Sequence, residues 1–446
     1  MTEISLPLAP GAAPFIGHAW PMLRAPLRFM ESIPPGADLL RLKLSAFEAI
    51  LVCSPELTRE VLLRDAVFDK GGPLFDRVRE FLGNGLSSCP HAVHRRHRRL
   101  VQRAFQPRRL PSYADTMVEQ VRNVTAGWRE GQLLDLSEAM HRLTAQITLA
   151  TMFSNLSIAG GTDGIIEEFE YVLRGAYRRM LMPKGLARLA GGARYDAVCA
   201  ELRGRLAAVI QAYRAQGVDR GDLLSLLVVA GDGEPASGEA VLTDAEVTDH
   251  LLTFFVGGME TCGSVLAWAF HLMARRPEVQ AAFHAELDAV LGGREPRFEY
   301  LPRLTHTHRI VQEVLRLYPP AWIATRIVTA DTVLGGQAIA CGTTMVISPY
   351  LLQRKPELFP DPASFRPERW EGQEGGRRKD DPLFAWAGGA RRCIGEGFAL
   401  TETVLILALI GSRWRMDDVA GKAKPSVGAV IVPRGTRVKL AARSSA

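Results

Sequence analysis

The chain has 446 residues, which exceeds the roughly 100 to 200 residues of a usual domain, yet no stretch of it has the composition of a long interdomain linker. We therefore expect residues 1–446 to form one large, mostly helical domain. The formal net charge is +6. The six cysteines lie far apart and form no Cys-x-x-Cys pair, which argues against a disulfide framework or a zinc ribbon and fits a reducing compartment.

The first ten residues, Met-Thr-Glu-Ile-Ser-Leu-Pro-Leu-Ala-Pro, lack the basic start and the apolar run of a signal peptide. Proline recurs too early there for a helix that spans a membrane. We therefore expect a cytoplasmic protein without a membrane anchor.

Strand-like runs occur early, at residues 39–44 and 49–52, and late, at residues 427–432 and 437–440, whereas the centre of the chain has the pattern of long helices. This order predicts a mainly α fold with small antiparallel β-sheets that are assembled from distant segments. Two polar, glycine-rich stretches, residues 231–240 and 371–381, are expected to be loops.

A basic run, His94-Arg-Arg-His-Arg-Arg99, opens an apparent helix that continues to Phe105. Basic runs can bind nucleic acid, but this one lacks interleaved aromatic side chains on which bases would stack, so we expect no nucleic-acid partner. Arg95, Arg96 and Arg99 are interpreted as a solvated helix face.

Residues 243–273 have the pattern of the longest helix, with Thr243 as a candidate N-cap. The stretch 251–262 is apolar nearly all round, which predicts that it is buried. Gly257 and Thr261 lie four residues apart and therefore on one face, where the glycine leaves a gap for dioxygen and water beside a hydroxyl. A threonine in such a helix can also simply bond its own backbone carbonyl, and that structural interpretation stays open.

Glu313 and Arg316 place opposite charges three residues apart in an otherwise largely apolar stretch. A surface pair of this kind would contribute little to stability. A buried pair is costly unless its hydrogen bonds are completed, so we expect a third partner.

Cys393 is the most informative residue of the chain. It lies in Trp386-Ala-Gly-Gly-Ala-Arg-Arg-Cys-Ile-Gly395, just before an apolar helical run. The arginines and the N-terminus of the following helix stabilise a thiolate. Gly389 and Gly395 remove side chains on either side, so that a flat macrocycle can approach the sulfur. These features suit an iron ligand, although an isolated cysteine in a tight turn is more often only a buried residue.

The order Gly389-x-Arg391-x-Cys393-x-Gly395 resembles the cysteine-ligand loop of the cytochrome P450 family, the haem-thiolate monooxygenases, with Trp386 where the family usually has Phe. Three further segments stand in the family's order: the helix with His94 and Arg98, the oxygen-activation motif Gly257-Gly-Met-Glu-Thr-Cys262, and the pair Glu313-Val-Leu-Arg316 followed by Phe365-Arg-Pro-Glu-Arg-Trp370. The resemblance covers essentially the whole chain. It implies the cytochrome P450 fold and haem b (iron protoporphyrin IX) as the cofactor.

The resemblance also implies a role for each matched residue. Glu260 and Thr261 are the expected catalytic pair, which would relay protons to bound oxygen. Residues expected at the cofactor are His94, Arg98 and Arg326 near the propionates, Gly257, Arg391 and the iron ligand Cys393. A structural network is expected from Glu313, Arg316 and Arg369. The expected substrate pocket comprises Phe75, Phe81, Phe254, Phe255, Trp322, Ile323 and Ile431.

The implied function is a monooxygenase that inserts one oxygen atom from O2 into an apolar small molecule. The phrases Leu-Tyr-Pro-Pro-Ala-Trp322 and Ser348-Pro-Tyr-Leu-Leu-Gln-Arg354 look like those of bacterial terpenoid oxidases, so a sesquiterpene is the leading substrate prediction. No flavin or iron–sulfur segment is present, so the electrons would come from an external ferredoxin and ferredoxin reductase. Two alternatives stay open: a peroxide-driven peroxygenase, which normally lacks the acid–alcohol pair, and a non-catalytic haem-binding sensor.

Overall fold

The structure is a computed structural model, and it describes residues 6–44, 47–154, 161–181, 192–229, 241–372, 382–419 and 421–443. The α-helices of these residues are α1 (Ala19–Arg24), α2 (Pro26–Glu31), α3 (Pro55–Leu63), α4 (Gly72–Leu82), α5 (His91–Val101), α6 (Leu110–Thr125), α7 (Leu136–Met152), α8 (Gly161–Leu181), α9 (Gly192–Gln216), α10 (Leu223–Val229), α11 (Asp244–Ala274), α12 (Pro277–Leu291), α13 (Thr305–Leu317), α14 (Pro349–Leu352) and α15 (Glu396–Gly411). The strands are β1 (Leu39–Leu44), β2 (Phe47–Val52), β3 (Phe68–Asp69), β4 (Leu133–Asp135), β5 (Ala324–Val328), β6 (Thr332–Leu334), β7 (Gln337–Ile339), β8 (Thr344–Ile347), β9 (Trp414–Asp418), β10 (Lys424–Val427), β11 (Ile431–Arg434) and β12 (Arg437–Ala442).

The chain divides into two compact units. The first comprises Met1–Leu74, Arg309–Cys393 and Pro425–Val432, and the second comprises Phe75–His308, Ile394–Lys424 and Pro433–Ala446. Whether residues 1–446 behave as a single domain stays a prediction.

The first unit contains a five-stranded sheet in the order β1-β2-β8-β5-β3 and the hairpin β6-β7. Alternate side chains of the sheet, such as Val52, Val328 and Ile347, are buried in an apolar cluster, as the period of two in a strand requires. Most pairs are antiparallel as predicted, but β2 and β8 run parallel. Parallel strands need a long crossover connection, which the many residues between these two strands supply.

The second unit is helical apart from the sheet β4-β12-β9. Its longest helix, α11, begins with a capping box: the Thr243 hydroxyl accepts the N–H of Glu246, and the Glu246 carboxylate accepts the N–H of Thr243. Helices α7, α9 and α15 pack against α11. The predicted helix over residues 243–273 is therefore present. Its stretch 251–262 is buried only in part, because Phe255 and Met259 are buried whereas Gly257 is exposed.

One predicted strand needs correction, and two predicted loops lie almost wholly outside the described residues. Residues 427–432 do not form one strand, because residues 428–430 are the turn between β10 and β11. The loops expected at 231–240 and 371–381 lie outside the described residues, except for 371–372, which form a turn.

One helix of the described residues, α11, is long and apolar enough to cross a membrane by length and composition alone. Of its most apolar window, 67% is buried inside the protein. A buried core helix passes the same test, so this helix is weak evidence for a membrane span.

Candidate active site

Cys393 ends a tight loop of the first unit. Its backbone N–H donates to the carbonyl of Trp386 at 2.9 Å, which closes the loop. The Cys393 side chain is exposed and is not in a disulfide. Helix α15 begins at Glu396, so the chain runs from this cysteine into a helix N-terminus, where partial positive charge favours an anion. The loop thus presents an accessible sulfur in surroundings that favour the thiolate.

Gly389 is required by the geometry of this loop. Its φ is +61°, and an added Cβ would lie 2.4 Å from the backbone oxygen of Leu62, which cannot move aside like a side-chain end. Gly388 differs, because its φ of −156° is extended and an added Cβ would be 3.5 Å from Leu62 side-chain atoms, an ordinary contact. A side chain is therefore excluded at Gly389 and tolerated at Gly388.

Arg391 holds the cysteine loop to β3 and to the turn that precedes it. Its buried guanidinium donates from Nη2 to Oδ1 of Asp69 at 2.9 Å, and its Nε lies 3.5 Å from Oδ2 of Asp65. Sequence reasoning missed both aspartates, because the pairs span more than 300 positions. The only available signal was two acids four residues apart in an otherwise apolar stretch.

Arg326 on β5 is a buried cation, and one of its N–H donors has no hydrogen-bond partner. Its Nη1 donates to the carbonyl of Thr325 at 2.8 Å, whereas its Nε has no hydrogen-bond partner. Burial and the nearby Arg391 lower the pKa of Arg326 to about 10. A buried guanidinium with a spare donor is a site for an anionic oxygen.

The fully buried Glu313 carboxylate is the centre of a hydrogen-bond network in the first unit. It accepts Nε and Nη2 of Arg316 at 2.9 and 2.8 Å, and Nε of Arg369 at 2.9 Å. It also accepts the N–H of Arg366 at 3.0 Å and Nε1 of Trp370 at 2.9 Å.

The hydrogen-bond donors of the Arg316 guanidinium also all have acceptors. Its remaining N–H groups donate to the carbonyls of Gln353, Pro362 and Ser364. The structure thus brings Glu313, Arg316 and Arg369 together, and it adds Trp370, which sequence reasoning did not assign.

Helix α11 of the second unit presents two different glycines. An added Cβ at Gly257 would meet nothing within 4 Å, so this position opens onto free space. An added Cβ at Gly258 would lie 2.6 Å from Oγ1 of Thr148, so this glycine lets α7 pack closely. The Thr261 hydroxyl donates to the Gly257 carbonyl at 2.5 Å. The hydrogen bond from Thr261 to its own helix backbone, which the structural interpretation expects, is therefore present. The Thr261 oxygen can still accept a hydrogen bond from another donor.

His94 and Arg98 lie one turn apart on α5, His94 buried and Arg98 half-buried. The expected solvated face is wrong for Arg96, which donates from Nη1 to Glu246 at 2.7 Å and from Nη2 to the carbonyl of Val241 at 2.9 Å. This ion pair joins α5 to the start of α11.

Three of the seven predicted pocket residues are core residues. Phe255 and Ile431 have no exposed surface. The rings of Phe255 and Phe81 pack on Phe169, with centroid distances of 3.8 and 6.4 Å. All three are buried, and their assignment to the substrate pocket stays a prediction.

The other four pocket residues also stay predictions. Phe75, Phe254 and Ile323 are half-buried. Trp322 is buried, with its indole Nε1 donating to the carbonyl of Gly428 at 3.3 Å.

Comparison with known proteins matches residues 10–437 to the family model "Cytochrome P450". The chain is 42% identical to cyclooctat-9-en-7-ol 5-monooxygenase from Streptomyces melanosporofaciens, covering 93% of this chain and 90% of the relative. It is 38% identical to pentalenene oxygenase from Streptomyces avermitilis, covering 98% and 97%. The fold matches a crystal structure of the cytochrome P450DA heme domain with a TM-score of 0.88, 24% identity and 99% of each chain covered. The chain therefore belongs to the cytochrome P450 family of haem-thiolate monooxygenases.

Proposed function

We propose that this monooxygenase hydroxylates an apolar, polycyclic terpenoid, with Cys393 as its haem ligand. The observation that carries the proposal is the loop that presents an accessible Cys393 between Gly389 and α15. Relatives named for cyclooctat-9-en-7-ol and pentalenene, at 42% and 38% identity, support the terpenoid class. A sesquiterpene remains the finer proposal for the substrate, and the cytoplasm remains the proposed location.

The residues present fit a haem. Cys393 supplies an exposed sulfur, Arg326 supplies a buried guanidinium with a spare Nε donor for a propionate, and Gly257 leaves open space on α11. His94 and Arg98 are proposed as further propionate partners, and Arg391 as the residue that fixes the loop. When bound, the haem would supply the iron that activates O2.

Glu260 and Thr261 are proposed to deliver protons on the Gly257 face of α11. Both side chains are half-buried, so water can reach them while bulk solvent is limited. The Thr261 oxygen can accept a proton from one side and pass its own onward, which general acid catalysis requires. This acid–alcohol pair favours O2 and reducing equivalents over the peroxygenase alternative.

Family membership implies a substrate, O2 and an electron donor. We propose that the donor is an acidic ferredoxin served by a ferredoxin reductase, because exposed arginines such as Arg103 and Arg108 stand on the surface of the second unit. Dependence of turnover on added ferredoxin, and not on added peroxide, is the expected result. Substrate-induced changes in the haem spectrum would argue against the sensor alternative.

The ligand assignment is tested by the spectrum of the reduced, carbon monoxide-bound protein. Cys393→Ala should abolish the thiolate-type band, whereas Cys341→Ala should keep it. Cys341 is the matched control because it is the other exposed cysteine of the same unit. A thiolate band retained in Cys393→Ala would refute the assignment.

The substrate class is tested by titrating ferric protein with a sesquiterpene hydrocarbon and with a long-chain fatty acid at low and high salt. Apolar burial at roughly 25 cal/mol per Å² should drive hydrocarbon binding, so the spectral shift should be almost independent of salt. The fatty acid should bind less tightly, because its carboxylate would enter the pocket unpaired. Tighter fatty-acid binding that weakens with salt would contradict the terpenoid proposal.

A further inference from the structure

A surface cavity of the second unit is bordered by arginines. Its volume is about 480 Å³, which is within the range of small-molecule sites. It lies where helices α6, α12 and α15 end, and all of its lining residues belong to the second unit. Four of these residues are Arg122, Arg294, Arg413 and Arg443. The cavity therefore presents a group of cations to the solvent.

Two of the four arginines are neutralised by acids of the same cavity. Arg122 donates from Nε to Oε1 of Glu295 at 2.6 Å, and its Nη2 donates to Oε2. Arg443 donates from Nη2 to both carboxylate oxygens of Asp288, at 2.9 and 2.8 Å. The charged residues of the lining carry a net charge of +2, because four are arginines and two are acids.

The other two arginines keep donors that no protein group uses. Within the described part of the chain, the Arg413 guanidinium has no hydrogen-bond or ion-pair partner. Arg294 donates from Nε to the carbonyl of Leu291 at 2.9 Å and lies over the ring of Tyr300. Both terminal NH2 groups of Arg294 have no acceptor among the described residues. Both arginines are exposed, so an anion from solution can reach them.

The helix ends at the cavity do not use these spare donors. The C-terminus of a helix carries partial negative charge and attracts cations. The Thr125 hydroxyl donates to a carbonyl in the last turn of α6. Nε of Arg294 donates to the last carbonyl of α12, and Nη1 of Arg443 donates to the carbonyl of Gly411, which ends α15. The remaining guanidinium donors are therefore available to a ligand.

We propose that this cavity is a binding site for a small phosphate-bearing anion of the diphosphate type, held by Arg294 and Arg413. The planar guanidinium group forms parallel, charge-assisted hydrogen bonds with phosphate oxygens. Two such groups favour an anion with several oxygens over a halide ion. The loop after α12 leaves room for it, because an added Cβ at Gly292 or Gly293 would meet nothing within 4 Å.

Calorimetric titration of the ferric holoenzyme with inorganic diphosphate at low salt tests the site without turnover. Arg294→Gln and Arg413→Gln should each raise Kd about tenfold, as expected when a charge-assisted hydrogen bond is lost. Arg297→Gln is the matched control, because Arg297 is exposed and close in the chain but does not line the cavity. Its Kd should stay within about twofold of the parent, because the lost charge makes no direct hydrogen bond to the anion.

Each of the three variants removes one positive charge, so a general attraction of anions to a cationic surface would weaken alike in all of them. An equal rise of Kd in Arg297→Gln, or an unchanged Kd in both Arg294→Gln and Arg413→Gln, would overturn the proposal.

Chemical modification of the parent protein locates the anion without any substitution. Phenylglyoxal modifies accessible arginines, and mass spectrometry of the peptides gives the extent at each position. Diphosphate should protect Arg294 and Arg413 and leave Arg297 reactive. Equal protection of all three arginines, or protection of none, would contradict the site.

A phosphate group can also belong to a lipid. Vesicles that contain phosphatidic acid present the same group on a surface, and sedimentation with them measures that binding. A free anion is supported when diphosphate binds in the calorimeter and Arg413→Gln does not change sedimentation. Sedimentation that is lost in Arg413→Gln, without calorimetric binding of diphosphate, would overturn the free anion in favour of a lipid headgroup.

Discussion

Replacing Glu313 by glutamine should destabilise the first unit strongly, although the two side chains have nearly the same shape. Oε1 of Glu313 accepts donors from Arg316, Arg369 and the N–H of Arg366, and Oε2 accepts Nε of Arg316 and Nε1 of Trp370. Every group that faces this carboxylate is therefore a donor. Whichever oxygen is replaced by an amide NH2, at least two donors lose their acceptor.

The magnitude follows from those lost bonds. A hydrogen bond to a charged group contributes about 1.5–3 kcal/mol, so two of them amount to about 3–6 kcal/mol. The same change leaves the guanidinium of Arg316 without its counter-charge, and Arg316 has no exposed side-chain surface. Breaking a buried ion pair by removing one partner costs about 3–5 kcal/mol, which agrees with the first figure.

Urea denaturation followed by circular dichroism measures the effect as a change in midpoint at constant slope. Glu371→Gln is the matched control, because it removes a carboxylate from the surface pair with Arg309 and should cost at most about 1 kcal/mol. The loss of stability in Arg369→Lys should lie between those of Glu313→Gln and Glu371→Gln, because lysine keeps the charge but lacks the planar guanidinium. A Glu313→Gln protein within about 1 kcal/mol of the parent would refute the reasoning, because the buried charge of Arg316 would then be compensated elsewhere.

The remaining predictions concern the cysteine loop and α15. Gly389→Ala should prevent formation of the thiolate-type carbon monoxide band, because its Cβ would overlap the Leu62 carbonyl, whereas Gly388→Ala should keep it; equal spectra would contradict the geometry. Because the pKa of Glu402 is raised from 4.5 to about 8, the folded protein binds more protons than the unfolded chain between these values. The free energy of unfolding should therefore fall between about pH 4.5 and 8, by on the order of 4 kcal/mol from this group. The free energy of unfolding of Glu402→Gln, measured by denaturation over the same pH range, should not show that decline. If it falls with pH in parallel with that of the parent protein, the prediction is wrong.

Sequence determined the features whose signals are local. The start of α11 is readable from Thr243 and Glu246, since a capping box joins residues only three positions apart. The cysteine loop is readable for the same reason, because its glycines, arginines and Cys393 are neighbours in the chain. The family's motif order likewise depends on spacing alone, so the family could be identified without coordinates.

Only the tertiary structure decided which side chains are buried and with what. Phe254 and Phe255 are adjacent and equally apolar, yet Phe255 packs on Phe169 while Phe254 remains half-buried, because the neighbouring helices cover one side of α11. Arg391 and Asp69 meet across 322 positions, a distance at which no periodicity or propensity carries information. Glu402 stands in the apolar middle of α15, and its raised pKa follows from burial. Burial depends on what packs around a residue and not on its neighbours in the chain.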